Sequence, residues 1–407
     1  MLFALWTLTL LFTLLGTWLA LKQSRPTRKS GPLPGITVLK PLCGHDPGLR
    51  ENLESFFQQR YPDYELIFSV TDPNDPAVSV LEELQQKYPQ VASWLVIGGV
   101  DVGPNPKVNN LVRSYELASH DLILISDSNV RAGSDYLERM VPELESGVGV
   151  VTAIVAGVAP SGLGGELEAT YLNTFYARGM KLAFATGNPC VIGKSMLFRK
   201  SVAASFGGIR TLGGFLAEDY ALGEEMRKLG LRVALAVDPI PQFIGKYSFK
   251  AFWQRHIRWG RIRKSHAPMA FIAEPIFSPL LSSFLAGLAW AGYLPFLQAF
   301  LLNFLFCLFC DLLLIGKFSA RFSLRAPLFW LVRELLALPL WIKVASGNTV
   351  HWRGKTLALG AGGVILDRES GDGECEAGSF GERLPLLTRS RATTRPATGG
   401  AGSQTAI

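Results

Sequence analysis

Carboxylates recur at three points along this chain. Asp72 and Asp75 sit in Val70-Thr71-Asp72-Pro73-Asn74-Asp75-Pro76, Asp127 in Ile125-Ser126-Asp127-Ser128, and Glu218-Asp219 opens an amphipathic run. Further on, Arg255-His256-Ile257-Arg258-Trp259 places two guanidinium groups three residues apart, on one face of a helix, just before long apolar segments. Carboxylates can hold a metal ion or take a proton, and guanidinium forks can hold a diphosphate. In this order the groups describe a site for a nucleotide sugar beside a membrane.

Each group also has a plainer explanation. Asp72 and Asp75 lie in a Pro-rich turn where Asp and Asn are ordinary loop formers, or they accept hydrogen bonds from the base or ribose of a nucleotide. In Asn105-Pro106-Lys107, Asn105 is a helix N-cap with Pro106 at the first helical position. Lys107 is a cation at the positive end of a helix dipole, a mismatch that a bound diphosphate would resolve. Asp127 offers an oxygen ligand for Mg²⁺ or Mn²⁺, with Asn129 adding only a neutral oxygen. Glu218-Asp219 is favourable charge in a first helical turn, or a base that deprotonates an acceptor hydroxyl. Trp253 to Arg261 reads as an interfacial amphipathic helix, a role compatible with Arg255 and Arg258 holding a leaving diphosphate.

The elements that must position these groups follow from periodicity. Ile36–Leu39, Tyr64–Val70, Trp94–Gly98 and Leu122–Ile125 read as strands, and Leu49–Arg60, Val78–Tyr88 and Lys107–Leu117 as helices. Alternation of this kind implies a doubly wound α/β domain over residues 35–245, with ligands at the carboxyl ends of strands. Asp72 and Asp127 each follow such a strand.

Of the 407 residues, 48% are hydrophobic, and they concentrate at the N-terminus and after Glu274. Residues 1–22 read as a transmembrane anchor, since about 20 apolar residues span a bilayer. The basic residues Lys22, Arg25, Arg28 and Lys29 follow it and none precedes it, which predicts a cytosolic domain. Residues 246–270 form the basic interfacial helix. Residues 275–345 supply C-terminal membrane helices, with two spans in Pro275–Ile315 broken near Tyr293-Leu294-Pro295. A third candidate, Pro327–Ala345, contains Arg333 and Glu334 and is either a re-entrant or interfacial helix or a span whose charged pair faces protein, and Asp311 raises the same question. Residues 346–366 are a short cytosolic segment, and 367–407 a disordered tail.

The net charge of +7 does not indicate nucleic acid: the basic residues cluster beside the apolar segments, and no nucleic-acid-binding module is present. Five scattered cysteines exclude a disulfide framework, and Cys307 and Cys310 read as membrane-helix residues.

The chain resembles the ceramide glucosyltransferase family, membrane enzymes with a GT-A-type catalytic domain. The resemblance runs from about Gly35 to Gly363. It is carried by Leu39-Lys40-Pro41-Leu42, Asn105-Pro106-Lys107-Val108-Asn109-Asn110, Asp127-Ser128, Ala217-Glu218-Asp219-Tyr220, Arg255-x-x-Arg258-Trp259, Glu274-Pro275 and Trp352-Arg353-Gly354. It implies that Asp75, Asp127 and Asp219 match the family's three essential aspartates, with Asp219 the base, and that Arg255, Arg258 and Trp259 match its Arg-Trp motif. It further implies a UDP-glucose donor, a divalent metal, inversion at the anomeric carbon and transfer to the primary hydroxyl of ceramide. Tyr176 stands where eukaryotic members carry His, which opens an alternative: transfer of N-acetylglucosamine from its UDP sugar to a hopanoid polyol. A processive polysaccharide synthase is a third reading, although it would need more spans to thread a polymer. A non-catalytic scaffold is disfavoured because Asp75, Asp127, Asp219 and Arg258 are all present.

Overall fold

A computed structural model describes residues 1–22, 33–319, 323–352, 355–366 and 387–389. After a long N-terminal helix, Leu2–Leu21 (α1), strands Ile36–Pro41 (β1), Tyr64–Val70 (β2), Ala92–Ile97 (β3) and Leu122–Ile125 (β4) lie parallel in the order β3-β2-β1-β4. Helices Leu49–Phe57 (α2), Ala77–Lys87 (α3) and Pro106–Leu117 (α4) connect them. β1 and β4 are buried along their whole length, which is why Leu122–Ile125 reads as an unbroken apolar run. Alternate side chains feed two cores. Val38 and Phe68 pack with Leu53 and Phe56 of α2, whereas Leu39 and Ile123 pack with Val108 and Leu111 of α4.

The second half of the sheet departs from a purely parallel pattern. The short helix Tyr136–Met140 (α5) precedes Val148–Thr152 (β5) and Val155–Ser161 (β6). Then come Gly162–Tyr171 (α6), a π-helical turn at Leu172–Tyr176 and Ala177–Ala185 (α7). Met196–Arg199 (β7), Lys200–Ala204 (α8), Glu218–Lys228 (α9), Arg232–Leu235 (β8) and Ile240–Lys246 (β9) complete the domain. β7 inserts antiparallel between β4 and β5, β8 lies parallel to β5, and β6 pairs separately with β9. The result is a mixed sheet in an α/β domain.

The basic helix, Phe249–His266 (α10), leads to Pro268–Ala273 (α11), Pro279–Ala289 (α12), Phe296–Phe318 (α13) and Ala326–Ala345 (α14). α1 and α13, with 20 and 23 residues, are long and apolar enough to cross a membrane. Each spans roughly 30 Å or more at 1.5 Å per residue. They run side by side in the same direction: Trp6 Nε1 donates to Asn303 Oδ1 (3.0 Å) near their starts, and Lys317 Nζ donates to the Ala20 and Leu21 carbonyls (2.8 and 2.9 Å) at their ends. Leu8, Leu11, Leu302 and Leu305 face outward as lipid-facing residues do. The protein is membrane-associated.

The break at Pro295 falls where expected, but α12 has only 11 residues and adds a span only together with the preceding segment, from which it bends by 57°. α14 is not among the helices suited to cross a membrane. It lies against α6 and α10 and turns its charges into protein. Buried Asp311 meets Arg178 of α7, accepts from Trp330 Nε1 (2.6 Å) and lies 3.4 Å from Arg333 Nη2. Arg333 also pairs with Glu334 and donates to Thr174 Oγ1 (2.8 Å). These charges therefore pair with one another inside the protein, although Arg178 Nε, Arg333 Nε and Glu334 Oε2 are left buried without a partner.

Past α14, Thr349–Trp352 (β10), Lys355–Leu359 (β11) and Ile365–Leu366 (β12) form a small antiparallel sheet where a plain segment was expected. Leu387–Arg389 (β13) pairs antiparallel with β3, so the expectation of a disordered tail fails for these three residues. An edge strand's free N–H and C=O groups accept extended chain of almost any sequence. The rest of the tail lies outside the described residues, as do Arg25, Arg28, Lys29 and Arg353.

Asp311→Ala would leave Arg178 and Arg333 buried without their shared carboxylate. It is expected to cost about 3–5 kcal/mol, seen as a lower unfolding midpoint of the detergent-solubilised protein.

Candidate active site

The site begins where β4 ends. Its continuous burial delivers Asp127 to the carboxyl edge of the sheet, and α4 starts across from it. Asn105 caps α4, its Oδ1 accepting from the Lys107 and Val108 amides (2.9 and 3.2 Å), with Pro106 at the first helical position as the sequence predicts. The cation at this helix start is answered by carboxylates of the chain itself. Lys107 Nζ lies 2.7 Å from Asp127 Oδ1 and 2.8 Å from Glu218 Oε1. Burial alone would lower the Lys107 pKa, but the two carboxylates outweigh it and raise it.

Asp127 collects two more cations. Lys194 Nζ lies 3.0 Å from its Oδ2 and donates to Asn129 Oδ1 (2.8 Å). Fully buried Lys40, on β1, donates to the Asp127 carbonyl (2.9 Å) and sits 3.6 Å from the centre of the Phe56 ring. Burial pushes the Asp127 carboxyl up, and Lys107 and Lys194 more than reverse this, holding it ionised well below the usual range. Burial pushes the Lys40 ammonium well down, with Asp127 opposing.

The neighbouring carboxylates of α9 differ in their partners. Glu218 is tied to Lys107 and accepts from Asn105 Nδ2 (3.2 Å). Asp219 accepts instead from the Gly193 amide (2.6 Å) and the Tyr220 amide (2.8 Å). Burial, and then the charge of Glu218, push its carboxyl up to about 6. Gly193 is needed for this approach: a Cβ there would sit 3.1 Å from both Asp219 Oδ2 and Lys107 Nζ.

The remaining expected residues are placed less centrally. Asp72 is exposed and accepts from the Asn74 amide (2.8 Å), a turn contact. Asp75 accepts from the Gly44 and Ala77 amides (2.8 and 2.9 Å), which ties the loop after β1 to the start of α3. Arg255 is anchored on Glu168, with Nη1 3.0 Å from Oε1, and stacks on Tyr247. Arg258 lies over Trp352 from β10 (5.6 Å), and Trp259 packs edge-on against Tyr176 (5.3 Å) and His256 (5.4 Å). Arg255 and Arg258 thus diverge to separate partners, and Arg255 still feels the charge of Asp46 beside Ser128.

Sequence reasoning missed several residues here. Lys40 carried a signal, a charge inside the strand Ile36–Pro41, and lies in a motif that was noticed. Lys194, Asp46 and Glu168 carried none, because their neighbours in space are distant in sequence. Glu168, fully buried, also faces His256 Nε2 at 2.9 Å.

Residues 1–365 match the family description "Glycosyl transferase family 21". The chain belongs to this family. Among curated proteins, this family 21 chain is 33% identical to ceramide glucosyltransferase 3 of Caenorhabditis elegans, covering 83% of this chain and 76% of that one. It is 28% identical to the ceramide glucosyltransferase of Komagataella phaffii, over 87% and 89% of the two chains. Among solved structures, the mannosyltransferase PcManGT from Pyrobaculum calidifontis, in complex with GDP-Man and Mn²⁺, is similar with a TM-score of 0.48 and 19% identity, over 85% of this chain and 98% of that one. The family 21 chain is a hexosyltransferase.

Lys107→Met would leave Asp127 and Glu218 buried without the cation they share. A loss of about 3 kcal/mol at neutral pH is expected. The measurement is the unfolding midpoint, and the deficit should shrink as acid neutralises the stranded carboxylates.

Proposed function

We propose that the protein transfers glucose from UDP-glucose to the primary hydroxyl of ceramide at the cytosolic membrane face, with inversion. The observation that carries this reading is the contrast between adjacent carboxylates. Glu218 is spent on Lys107, while Asp219, pushed up to about 6, suits a base working near neutral pH. The acceptor oxygen forms its bond to the anomeric carbon as the bond from that carbon to the phosphate oxygen breaks. The proton goes to Asp219 and the electron pair leaves with UDP.

Lys107 and Lys194 would supply cations to the diphosphate, and Arg255 and Arg258 would have to turn from Glu168 and Trp352 to join them. Asp72, exposed in its turn, is free to reach nucleotide hydroxyls, while Asp75 holds the loop behind it. The donor set also fits a divalent ion. Among the described residues no group of three His, Cys, Asp or Glu forms a cage, but Mg²⁺ is commonly bound through one or two carboxylates plus substrate phosphates and waters. Asp127, firmly ionised, would hold it, with Asn129 and Asp46 close by. Such an ion, Mg²⁺ or Mn²⁺, would neutralise diphosphate charge.

Three outcomes test this. Asp219→Asn should abolish turnover while leaving UDP affinity, measured by calorimetry, within a few-fold; wild-type turnover would refute the base. The wild-type rate should rise with pH through about 6 and then level, because only the ionised carboxylate accepts a proton; Glu218→Gln should move that limb to lower pH by removing a negative neighbour. In membranes given radiolabelled donors, label from UDP-glucose should enter a ceramide product, whereas label from UDP-N-acetylglucosamine in a hopanoid would replace the substrate pair.

A further inference from the structure

Where α1 and α13 end side by side beneath the catalytic domain, they border a cavity of about 300 Å³. Its wall carries four cationic side chains, Lys22, Arg139, Lys181 and Lys317, and one carboxylate, Asp238. Asp238 is claimed by Arg139, at 2.5 Å from Nη2. Lys317 donates to the last carbonyls of α1, contacts that orient its ammonium group but do not neutralise it. Lys22 follows the last turn of α1 and lies 5.1 Å from the Trp18 ring centre. Burial, then the charge of Lys317, push the Lys181 ammonium down.

We propose that this cavity binds the phosphate head group of an anionic phospholipid. The cations stand at the end of two membrane-crossing helices, with Trp18 one turn away, the level at which head groups lie. Basic pockets between membrane helices take such head groups. Leu14 and Trp18 of α1 and Leu313 of α13 are exposed within about two turns, where acyl chains would run. Ceramide carries no charge, so four cations do not describe its seat. None of these residues belongs to the Asp127–Lys107–Asp219 site, and the binding would tie the catalytic domain to the bilayer independently of substrate.

The test uses the full-length protein in nanodiscs of phosphatidylcholine alone, or with phosphatidylglycerol. Phosphatidylglycerol should raise the unfolding midpoint and remain bound in native mass spectra. The double variant Arg139→Gln/Lys181→Gln should lose most of that rise and retain about fivefold less lipid, with UDP affinity unchanged; Lys317 is left intact because it caps α1. An equal midpoint in both discs would overturn the proposal, as would full retention by the double variant. Millimolar inorganic phosphate reproducing the whole effect in phosphatidylcholine discs would assign the cavity to a soluble anion and overturn the lipid.

Discussion

Lys107 occupies a position that the dipole of α4 disfavours, and it stays there because Asp127 and Glu218 close on it from two other elements. This three-way contact joins the end of β4 to the start of α9 across the mouth of the sheet. Removing any member strands a charge in a poorly solvated place, so the contact fixes geometry more than it adds stability. Asp219 depends on it indirectly. With Glu218 held toward Lys107, the adjacent carboxylate is left to backbone amides, and burial decides its state.

The same economy governs α10. Along one helix, Arg255 reaches Glu168, Arg258 reaches Trp352, and Arg263 grips Glu274 through Nε (2.7 Å) and Nη2 (3.2 Å) while donating to Tyr176 (2.9 Å). Lys264 donates to the Ala345 and Gly347 carbonyls (3.1 and 3.0 Å) at the end of α14 and just past it. Gly260 lets α10 and α14 approach, since a Cβ there would lie 2.5 Å from Val344. A basic helix beside a membrane thus becomes a seam between the sugar-transfer domain and the apolar helices, with Arg255, Arg258 and Arg263 each given its own partner.

The strands and helices of the first half were legible because local pattern and burial agree. Leu122–Ile125 is uniformly apolar and uniformly buried, and Asn105-Pro106 carries its cap chemistry in two residues. The direction of β7 was not legible, because Met196-Leu197-Phe198 would read alike in either orientation. At the site, Asp127, Lys107, Glu218 and Asp219 were found together as expected, while Asp72 proved to hold its own turn. Lys194 and Glu168 were invisible because their meaning comes from tertiary partners. Arg333 and Glu334 announced a conflict with lipid, but only the fold supplies Asp311 and Thr174 as the resolution.

The loop before α9 is pinned from far downstream. Leu216 donates to the Gly363 carbonyl (3.0 Å), Phe215 pairs with Val364, and His266 stacks on Tyr220 at 4.0 Å. Residues 363 and 364 follow α1 and α10 to α14 in the chain, so this brace does not exist until the ribosome has made the chain through that point. With synthesis at about 5–20 residues per second and domains generally folding as units, the sheet can form while α11 to α14 are still being made. The loop that leads into α9 is locked only once those helices have emerged, which places completion of the site after membrane insertion in the order of assembly.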